Sequence, residues 1–451
     1  MLTALAVRDA GSVLLRVLVV CASALGNHAS AAELAFDEAR AALMSTSHRL
    51  KASESEITKR ELEEKAAATL GLPDITLNAT EVLGRKEFDI SNLPIINSIN
   101  FTYNFDGPRS SLGMRWPIYT GGRITATQNA LAAELDGARA ERRGTEEGLD
   151  LELIQRYFGL RLAANVEALR AAQLTQADRQ LDRAKRFEQR GQTSAVERLS
   201  TQVSRDEAAR DFAKAKRDRE IAAAGLARFL QRSLESVIPS TPLFVVTAPL
   251  QPVVEWIRNA EGRNSTLAAL SAKSTVADQG INVARASFLP EVFAFANYQL
   301  VTRYLTPIEP NWIAGVGVNI TLFSALDRAS KVGAARAQKD AIDSLTEEAR
   351  VKIRTAVETA WLRVAQAREQ FELYDSSVEL ARENLRLRER AQDEGLATAL
   401  EVSDARNAQI RAETGRAQVA YEFVVALGQL LEVSGQTDRI LEFIARADVK
   451  L

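Results

Sequence analysis

GMRWPIY at Gly113–Tyr119 and GVNITLF at Gly317–Phe323 are two versions of one strand, and they lie 204 residues apart. The segments RGQTSAVE at Arg190–Glu197 and EGLATALE at Glu394–Glu401 are separated by the same 204 residues. A constant offset between two unlike pairs of segments indicates that one structural unit occurs twice in the chain.

Each copy contains a predicted pair of β-strands. A third matching pair, LPDI starting at Leu72 and LPEV starting at Leu289, opens the first strand of each copy at a larger offset of 217. The change from 204 to 217 places a 13-residue length difference between the two strand pairs. Apolar and polar residues alternate over 111–118 and 312–322, which is typical of strands with one apolar and one polar face. The strand at 292–300 is apolar on both faces at its start, so its orientation stays open.

A long helix follows the second strand of each copy. The runs 123–191 and 327–395 are equal in length, contain no proline and carry apolar residues at coiled-coil spacing. At about 1.5 Å per residue, each run predicts a helix of roughly 100 Å. The helical pattern resumes after each run, to about Leu230 and about Leu431. The chain is therefore predicted to be mixed but mainly α, with two long antiparallel coiled-coil hairpins.

The four strands suit a membrane barrel that several chains build together. An apolar face opposite a polar face is typical of strands in a transmembrane barrel. Four strands cannot close a barrel, and an open edge in lipid leaves backbone groups unpaired. The alternative is a soluble four-stranded sheet that caps a coiled coil. Seven aromatic residues are candidates for an interfacial girdle, or for ordinary packing: Trp116, Tyr119, Phe293, Phe295, Tyr298, Tyr304 and Trp312.

The first residues have the pattern of a secretory signal peptide. Arg8 and Arg16 precede or enter an apolar run at 13–25, which is short for a membrane-spanning helix. Ala29-Ser30-Ala31 follows as a small-x-small cleavage site. The alternative is a lipoprotein signal with Cys21 as the lipidated residue, but valine precedes Cys21 where such signals have a small residue.

Removal of the signal peptide excludes several classes of enzyme. Cys21 and His28 are lost with it, and His48 is then the single histidine of the mature chain. Thiol nucleophiles, Cys/His zinc sites and histidine-based triads are therefore excluded. Gly315 and Gly317 lie inside a strand and lack the third glycine of a dinucleotide-binding loop. We expect neither enzymatic activity nor a cofactor.

The charge pattern does not favour nucleic acid as a partner. The chain has 57 basic and 59 acidic residues, for a formal net charge of -2. Acidic residues are interleaved at helical spacing in the arginine-rich runs 179–190 and 382–390. This pattern is typical of the solvated face of a coiled coil.

These patterns divide the chain into five parts. We expect the signal peptide at 1–31, the first repeat at 32–238, a proline-rich linker at 239–255, the second repeat at 256–446 and a C-terminal tail at 447–451.

With these motifs in this order, the chain resembles the TolC-like outer membrane efflux and secretion channel family. The likeness is carried by the paired Leu-Pro strand openings, by PIYTGGR at 117–123 with its looser copy TLFSALDR at 321–328, and by the hairpin turns at 190–197 and 394–405. It extends from about Leu34 to about Leu441. Ala-Leu replaces the Gly-Gly of the first junction in the second copy.

The resemblance implies a homotrimer with a 12-stranded transmembrane β-barrel in the outer membrane lipid of a Gram-negative bacterium. The barrel would continue into a helical tunnel in the periplasm. The implied function is a passive exit duct of a tripartite efflux or type I secretion system, docking a periplasmic adaptor protein and an inner-membrane transporter. The competing hypothesis is a secreted periplasmic or surface coiled-coil scaffold without a pore.

The resemblance also assigns residues to two sites. Glu401 and Asp404 would lie at the pore constriction, where three copies of a carboxylate concentrate negative potential and favour cations. The other reading of Glu401 is a capping box with Thr398, whereas Asp404 lies beyond the first helical turn. The residues expected to contact the adaptor at the hairpin tips are Arg190, Gly191, Gln192, Glu394, Gly395 and Leu396.

Overall fold

The computed structural model describes residues 33–90, 99–104, 106–234, 237–305, 308–323 and 327–451 of the 451-residue chain. The predicted signal peptide, with Cys21, lies outside the described residues. Within the described residues, no helix combines the length and the apolar character needed to cross a membrane.

The elements of the first copy run from residue 33 to residue 229. In chain order they are β1 Glu33–Leu34, α1 Phe36–Thr46, α2 His48–Ala68, β2 Asp74–Val82, β3 Arg85–Ile90, β4 Ile99–Asn104, β5 Gly107–Tyr119, α3 Arg123–Gln189 and α4 Ala195–Phe229. Two short strands follow, β6 Ile238–Pro239 and β7 Phe244–Val245. The second copy contains α5 Val253–Arg263, α6 Ser265–Ala286, β8 Glu291–Gln299, β9 Trp312–Asn319, α7 Arg328–Asp393, α8 Ala399–Val433, α9 Ile440–Arg446 and β10 Val449–Lys450.

The elements of the two copies correspond in sequence at the two predicted offsets, 204 and 217 residues. The elements α1, α2 and β2 return at the larger offset as α5, α6 and β8. The long helices α3 and α4 return at the smaller offset as α7 and α8. The difference lies between β2 and β5, where the first copy holds the additional hairpin β3–β4. The predicted duplication, the long helical hairpins and the strand pairs are therefore confirmed.

The helices form one layer rather than a bundle around a central core. Near the sheet, α3 packs against α2 and α6, and α6 packs against α7. Toward the hairpin tips, α3 packs against α4 and α8, and α8 packs against α7. Each end of the layer therefore holds four helices side by side, and its two outer helices have a neighbour on one side.

Short helices stack end to end to keep this layer continuous. Gln231, in the left-handed conformation at φ 55°, follows the end of α4, and its Nε2 donates to Thr46 O at the end of α1, just before α2 begins, 3.1 Å away. Asn264 Nδ2 donates to Val433 O at the end of α8, 2.9 Å away. The side-chain oxygen of Asn264 also accepts from the first amides of α6. One polar side chain thus satisfies free backbone groups of two helix ends.

An aromatic core holds the middle of the layer. Phe36, Tyr157, Phe158, Phe244 and Phe423 are fully buried and pack ring against ring. The Tyr157 hydroxyl donates to Leu34 O at 2.6 Å and accepts from the Thr241 amide at 3.0 Å.

The segment expected to be a linker, 239–255, contributes β7 and the buried side chains Leu243, Phe244 and Val245 to this core. The last residues, 447–451, include β10, which pairs with β7. Both segments are therefore anchored against the middle of the helical layer.

One antiparallel sheet extends from the end of the layer, in the order β2-β5-β8-β9. Because directly opposed residues share a face, the register defines two chemically different faces. One face is apolar on all four strands and carries Ile75, Leu77, Leu112, Met114, Trp116, Val292, Ala294, Ala296, Tyr298, Trp312, Ala314, Val316 and Val318. The other, which we call the polar face, carries residues such as Thr76, Asn78, Arg109, Arg115, Asn297 and Asn319.

Candidate functional site: the hairpin tips and the sheet faces

The two hairpin tips have the same backbone geometry. Gly191 and Gly395 have φ values of 70° and 76°, which an L side chain adopts only with strain. The Gln192 amide donates to Phe187 O at 2.8 Å, and the Leu396 amide donates to Ala391 O at 2.7 Å. Each helix therefore ends in a Schellman motif that leads directly into the returning helix.

The residues assigned to the tips are all exposed, but they differ chemically between the copies. The first tip presents Arg190 and Gln192, and the second presents Glu394 and Leu396, whose side chain is 79% exposed. A pair of tips thus offers a cationic and polar end beside an acidic and apolar one.

Glu401 is held by its own helix and by the neighbouring one. It forms a capping box with Thr398, whose amide donates to Glu401 Oε2 at 2.8 Å. Arg388 of α7 donates to Glu401 Oε1 at 3.0 Å. The hydrogen bonds from Thr398, and next the positive charge of Arg388, lower the pKa of Glu401 from its ordinary value. Glu401 therefore caps the start of α8, and both of its carboxylate oxygens accept hydrogen bonds.

Asp404 is exposed one turn further along α8. Within the described residues it has neither a hydrogen bond nor an ion pair. Seven-residue steps from Asp404 lead to Val425, and steps from Glu401 lead to Glu422 and Gln429. These three residues line a groove of about 250 Å³ between α7 and α8. In a coiled coil, heptad-related residues keep one orientation toward the partner helix, so Glu401 and Asp404 share the face of this groove.

The groove lies on the side of the helical layer that faces away from the aromatic core. Phe423 of α8 packs against Phe244, and the Trp361 indole of α7 donates to Gln251 O at 3.0 Å. On a helix of 3.6 residues per turn, Glu422, Val425 and Gln429 point to the side opposite Phe423. The acidic residues at the tip therefore belong to the free side of the layer.

Contacts between the two hairpins were not anticipated from the sequence. Gln173 Nε2 of α3 donates to Asn407 Oδ1 of α8 at 3.1 Å. Arg183 Nη1 of α3 donates to Asp393 Oδ1 of α7 at 3.3 Å. These residues are spaced like other polar coiled-coil positions, so no local pattern distinguishes them.

The apolar face of the sheet is exposed in the single chain. The exposed fractions are 66% for Ile75, 67% for Val316 and 66% for Trp312. Trp312 and Tyr298 lie opposite each other at the end far from the helices, whereas Trp116 lies near the helices. The three therefore occupy the two ends of the apolar face, as expected for a girdle.

Two other girdle candidates face the opposite way. Phe293 and Phe295 lie on the polar face, because Val292 and Ala294 between them belong to the apolar face. A continuous apolar run in the sequence hides this alternation. Of the two alternatives, a girdle and ordinary packing, this position favours packing for both phenylalanines.

The sheet has two open edges. Of the four strands, β2 pairs only with β5 and β9 pairs only with β8 within the described residues. Strand β2 follows α2, and β9 precedes α7, so each open edge continues into an outer helix of the layer. The chain thus has two complementary sides, β2 with α2 and β9 with α7.

Comparison with known proteins identifies the family. Residues 32–231 and 256–436 match the model of the outer membrane efflux protein family. The chain belongs to this family. The resemblance seen in the sequence is therefore confirmed, and the family and the fold neighbours are outer membrane channels rather than enzymes.

One curated protein and several solved structures match the chain at low sequence identity. The chain is 25% identical to protein CyaE of Bordetella pertussis over 278 residues, which are 58% of this chain and 58% of that protein. It matches the outer membrane protein VceC of Vibrio cholerae with a TM-score of 0.73 at 14% identity, covering 89% of this chain and 96% of that one. It matches the open state of the MtrE outer membrane channel of Neisseria gonorrhoeae with a TM-score of 0.70 at 17% identity, covering 89% of each chain.

Proposed function

We propose that this chain is a passive exit duct of the outer membrane in a Gram-negative bacterium. Three copies form a 12-stranded β-barrel in the membrane, which continues as a helical tunnel in the periplasm. The hairpin tips dock a periplasmic adaptor, and an inner-membrane transporter supplies the energy of a tripartite efflux or type I secretion system. The observation that carries the proposal is the exposed apolar face on a four-stranded sheet with two open edges.

The open edges support a closed ring of copies. Paired side by side, β2 of one copy and β9 of the next would satisfy the free backbone groups of both edges, which lipid cannot do. The outer helices α2 and α7 continue the same two sides, so one rotation would join the sheets and the helical layers together. Four strands from each of three copies give the 12 strands of the proposed barrel.

The dimensions of the sheet support a position in the membrane. Its strands are 8 to 13 residues long, close to the 9–11 residues that a tilted transmembrane strand needs. The apolar face would contact lipid, and the polar face would line the lumen. The long helices α3 and α7 extend about 100 Å from the sheet, enough for a periplasmic tunnel.

The two proposed sites lie at the far end of that tunnel. The tip residues Arg190, Gly191, Gln192, Glu394, Gly395 and Leu396 are exposed there, as an adaptor contact requires. Glu401 and Asp404 begin α8 on the face that we assign to the lumen. Three copies of Asp404 would then place carboxylates around one level of the passage.

The first experiment combines oligomer mass with single-channel conductance. Protein extracted from the outer membrane in detergent should have the mass of a trimer and give discrete, cation-selective openings in a planar bilayer. A water-soluble monomer or dimer without conductance would refute the duct. That outcome would favour the coiled-coil scaffold, in which the sheet serves only as a cap.

A further inference from the structure

The polar face of the sheet holds all four glycines of the strands β2, β5, β8 and β9, namely Gly107, Gly113, Gly315 and Gly317. Two of them face phenylalanines across the β8–β9 ladder. Gly317 lies opposite Phe293, and Gly315 lies opposite Phe295. Glycine inside a strand costs conformational entropy, so its restriction to one face calls for a physical reason.

The reason is the space that the two rings occupy. A Cβ atom at Gly317 would lie 2.6 Å from Phe293 Cζ, and one at Gly315 would lie 3.1 Å from Phe295 Cζ. Real Cβ contacts at the shorter distance essentially never occur, so a side chain on Gly317 would displace the ring. Each ring therefore fills the place where a side chain of β9 would stand.

Neighbouring groups hold the rings in this position. The ring centroids of Phe293 and Phe295 are 6.2 Å apart. The Arg115 guanidinium lies 4.6 Å from the centroid of Phe293, a cation–π contact from the next strand. The Phe293 ring is thus bounded by β9 on one side and by Arg115 on the other, and the Phe295 ring lies beside it. A ring displaced from this position would adopt another of its staggered rotamers. In the common rotamers of a strand, the side chain stands roughly perpendicular to the sheet.

We propose that Gly315 and Gly317 set the free width of the barrel lumen by allowing the rings of Phe293 and Phe295 to lie against β9. This rests on the proposed function, in which the polar face lines the lumen. In a trimer, six such rings surround the passage at neighbouring levels. A ring that stands away from the sheet points toward the axis, so a Cβ on β9 narrows the exit for large solutes.

The test measures the width of the barrel with neutral polymers. Polyethylene glycols of graded size are added on the barrel side of single channels, and the largest polymer that still lowers conductance defines the exclusion size. Gly317→Ala should lower both the conductance and the exclusion size. Gly315→Ala should have a smaller effect, because its contact is longer. Gly113→Ala is the matched control, since the nearest atom to its Cβ is Thr76 Oγ1 at 3.1 Å and no ring is involved.

A second substitution separates ring displacement from a general distortion of the strand. Phe293→Ala should restore the exclusion size in the Gly317→Ala background and raise it in the native background. An unchanged exclusion size in trimeric Gly317→Ala would overturn the proposal. If Gly317→Ala does not assemble, Phe293→Ala alone decides, and an unchanged exclusion size in that variant overturns it as well. Native protein without any conductance would instead refute the duct itself.

Discussion

The hydrogen bond between the two hairpins of one chain gives a test of how the duct opens. Gln173 Nε2 on α3 donates to Asn407 Oδ1 on α8, and both side chains are half-buried. Asn407→Ala removes the acceptor. If opening separates α3 from α8, each lost bond destabilises the closed state by about 1 kcal/mol. If the three copies of a trimer open together, the closed state of the variant is destabilised by about 3 kcal/mol relative to the native protein. This raises the ratio of open to closed channels roughly 150-fold.

The assay is open probability in single-channel recordings at fixed voltage and salt. Gln173→Ala should have the same effect as Asn407→Ala, and the double variant should add little, because both changes remove the same bond between α3 and α8. Thr175→Ala is the control, since among the described residues the hydroxyl of this exposed threonine bonds only to Ala171 O in its own helix. Trimeric Asn407→Ala with an unchanged open probability would refute the idea that opening parts α3 from α8. Two effects that add in full would show that the residues act separately.

Further predictions concern charge and stability. Asp404→Asn should reduce cation preference, and unchanged selectivity would remove Asp404 from the pore. The lowered pKa of Glu401 means that its carboxylate stabilises the start of α8 fully above its unfolded pKa of about 4.3 and loses this effect as pH falls through the lower folded value. The protection factors of the amides in the first turn of α8, from which the intrinsic pH dependence of exchange has been divided out, should therefore fall at acidic pH in the native protein and change less in Glu401→Gln. Arg40→Ala should cost about 3 kcal/mol of stability, because it leaves Asp150 buried at 1% exposure without its cation. Arg49→Ala, which removes an exposed pair with Glu152, should cost less than about 1 kcal/mol, and equal losses of the two variants in thermal unfolding would contradict this.

Much of the fold could be predicted because the sequence repeats at fixed spacing. Strict alternation identified β5 and β9, and the absence of proline over two long runs of equal length identified α3 and α7. The tips were predictable because a reversing helix needs a residue with positive φ, and Gly191 and Gly395 supply it. These features depend on local patterns, which a single sequence displays.

Other features depend on contacts between residues distant in the chain. The phenylalanines of β8 interrupt its alternation, so the face on which each lies became clear only from the register with Gly315 and Gly317. The segment around Phe244 is predicted to be a linker from its prolines, and its burial could not be predicted because its packing partners Phe158 and Phe423 are far away in the chain. Likewise, Gln173 and Asn407 carry no signal that distinguishes them from solvated polar residues.

The duplication also explains why the seam inside one chain should differ from the seam between copies. By the smaller of the two offsets, the counterpart of Asn407 is Val203, and the counterpart of Gln173 is Ser377. In the proposed ring, α4 of one copy and α7 of the next repeat the contact that α8 makes with α3. Exposed apolar side chains are available for that seam, among them Val203 at 59% and Leu380 at 70% exposure. Exchanging the Gln173–Asn407 contact for water costs about 1 kcal/mol, whereas exposing apolar surface costs free energy in proportion to the area exposed. We therefore expect that separating α3 from α8 within a chain costs less free energy than separating α4 from α7 of the next copy. For that reason Asn407→Ala should change opening while leaving the trimer assembled.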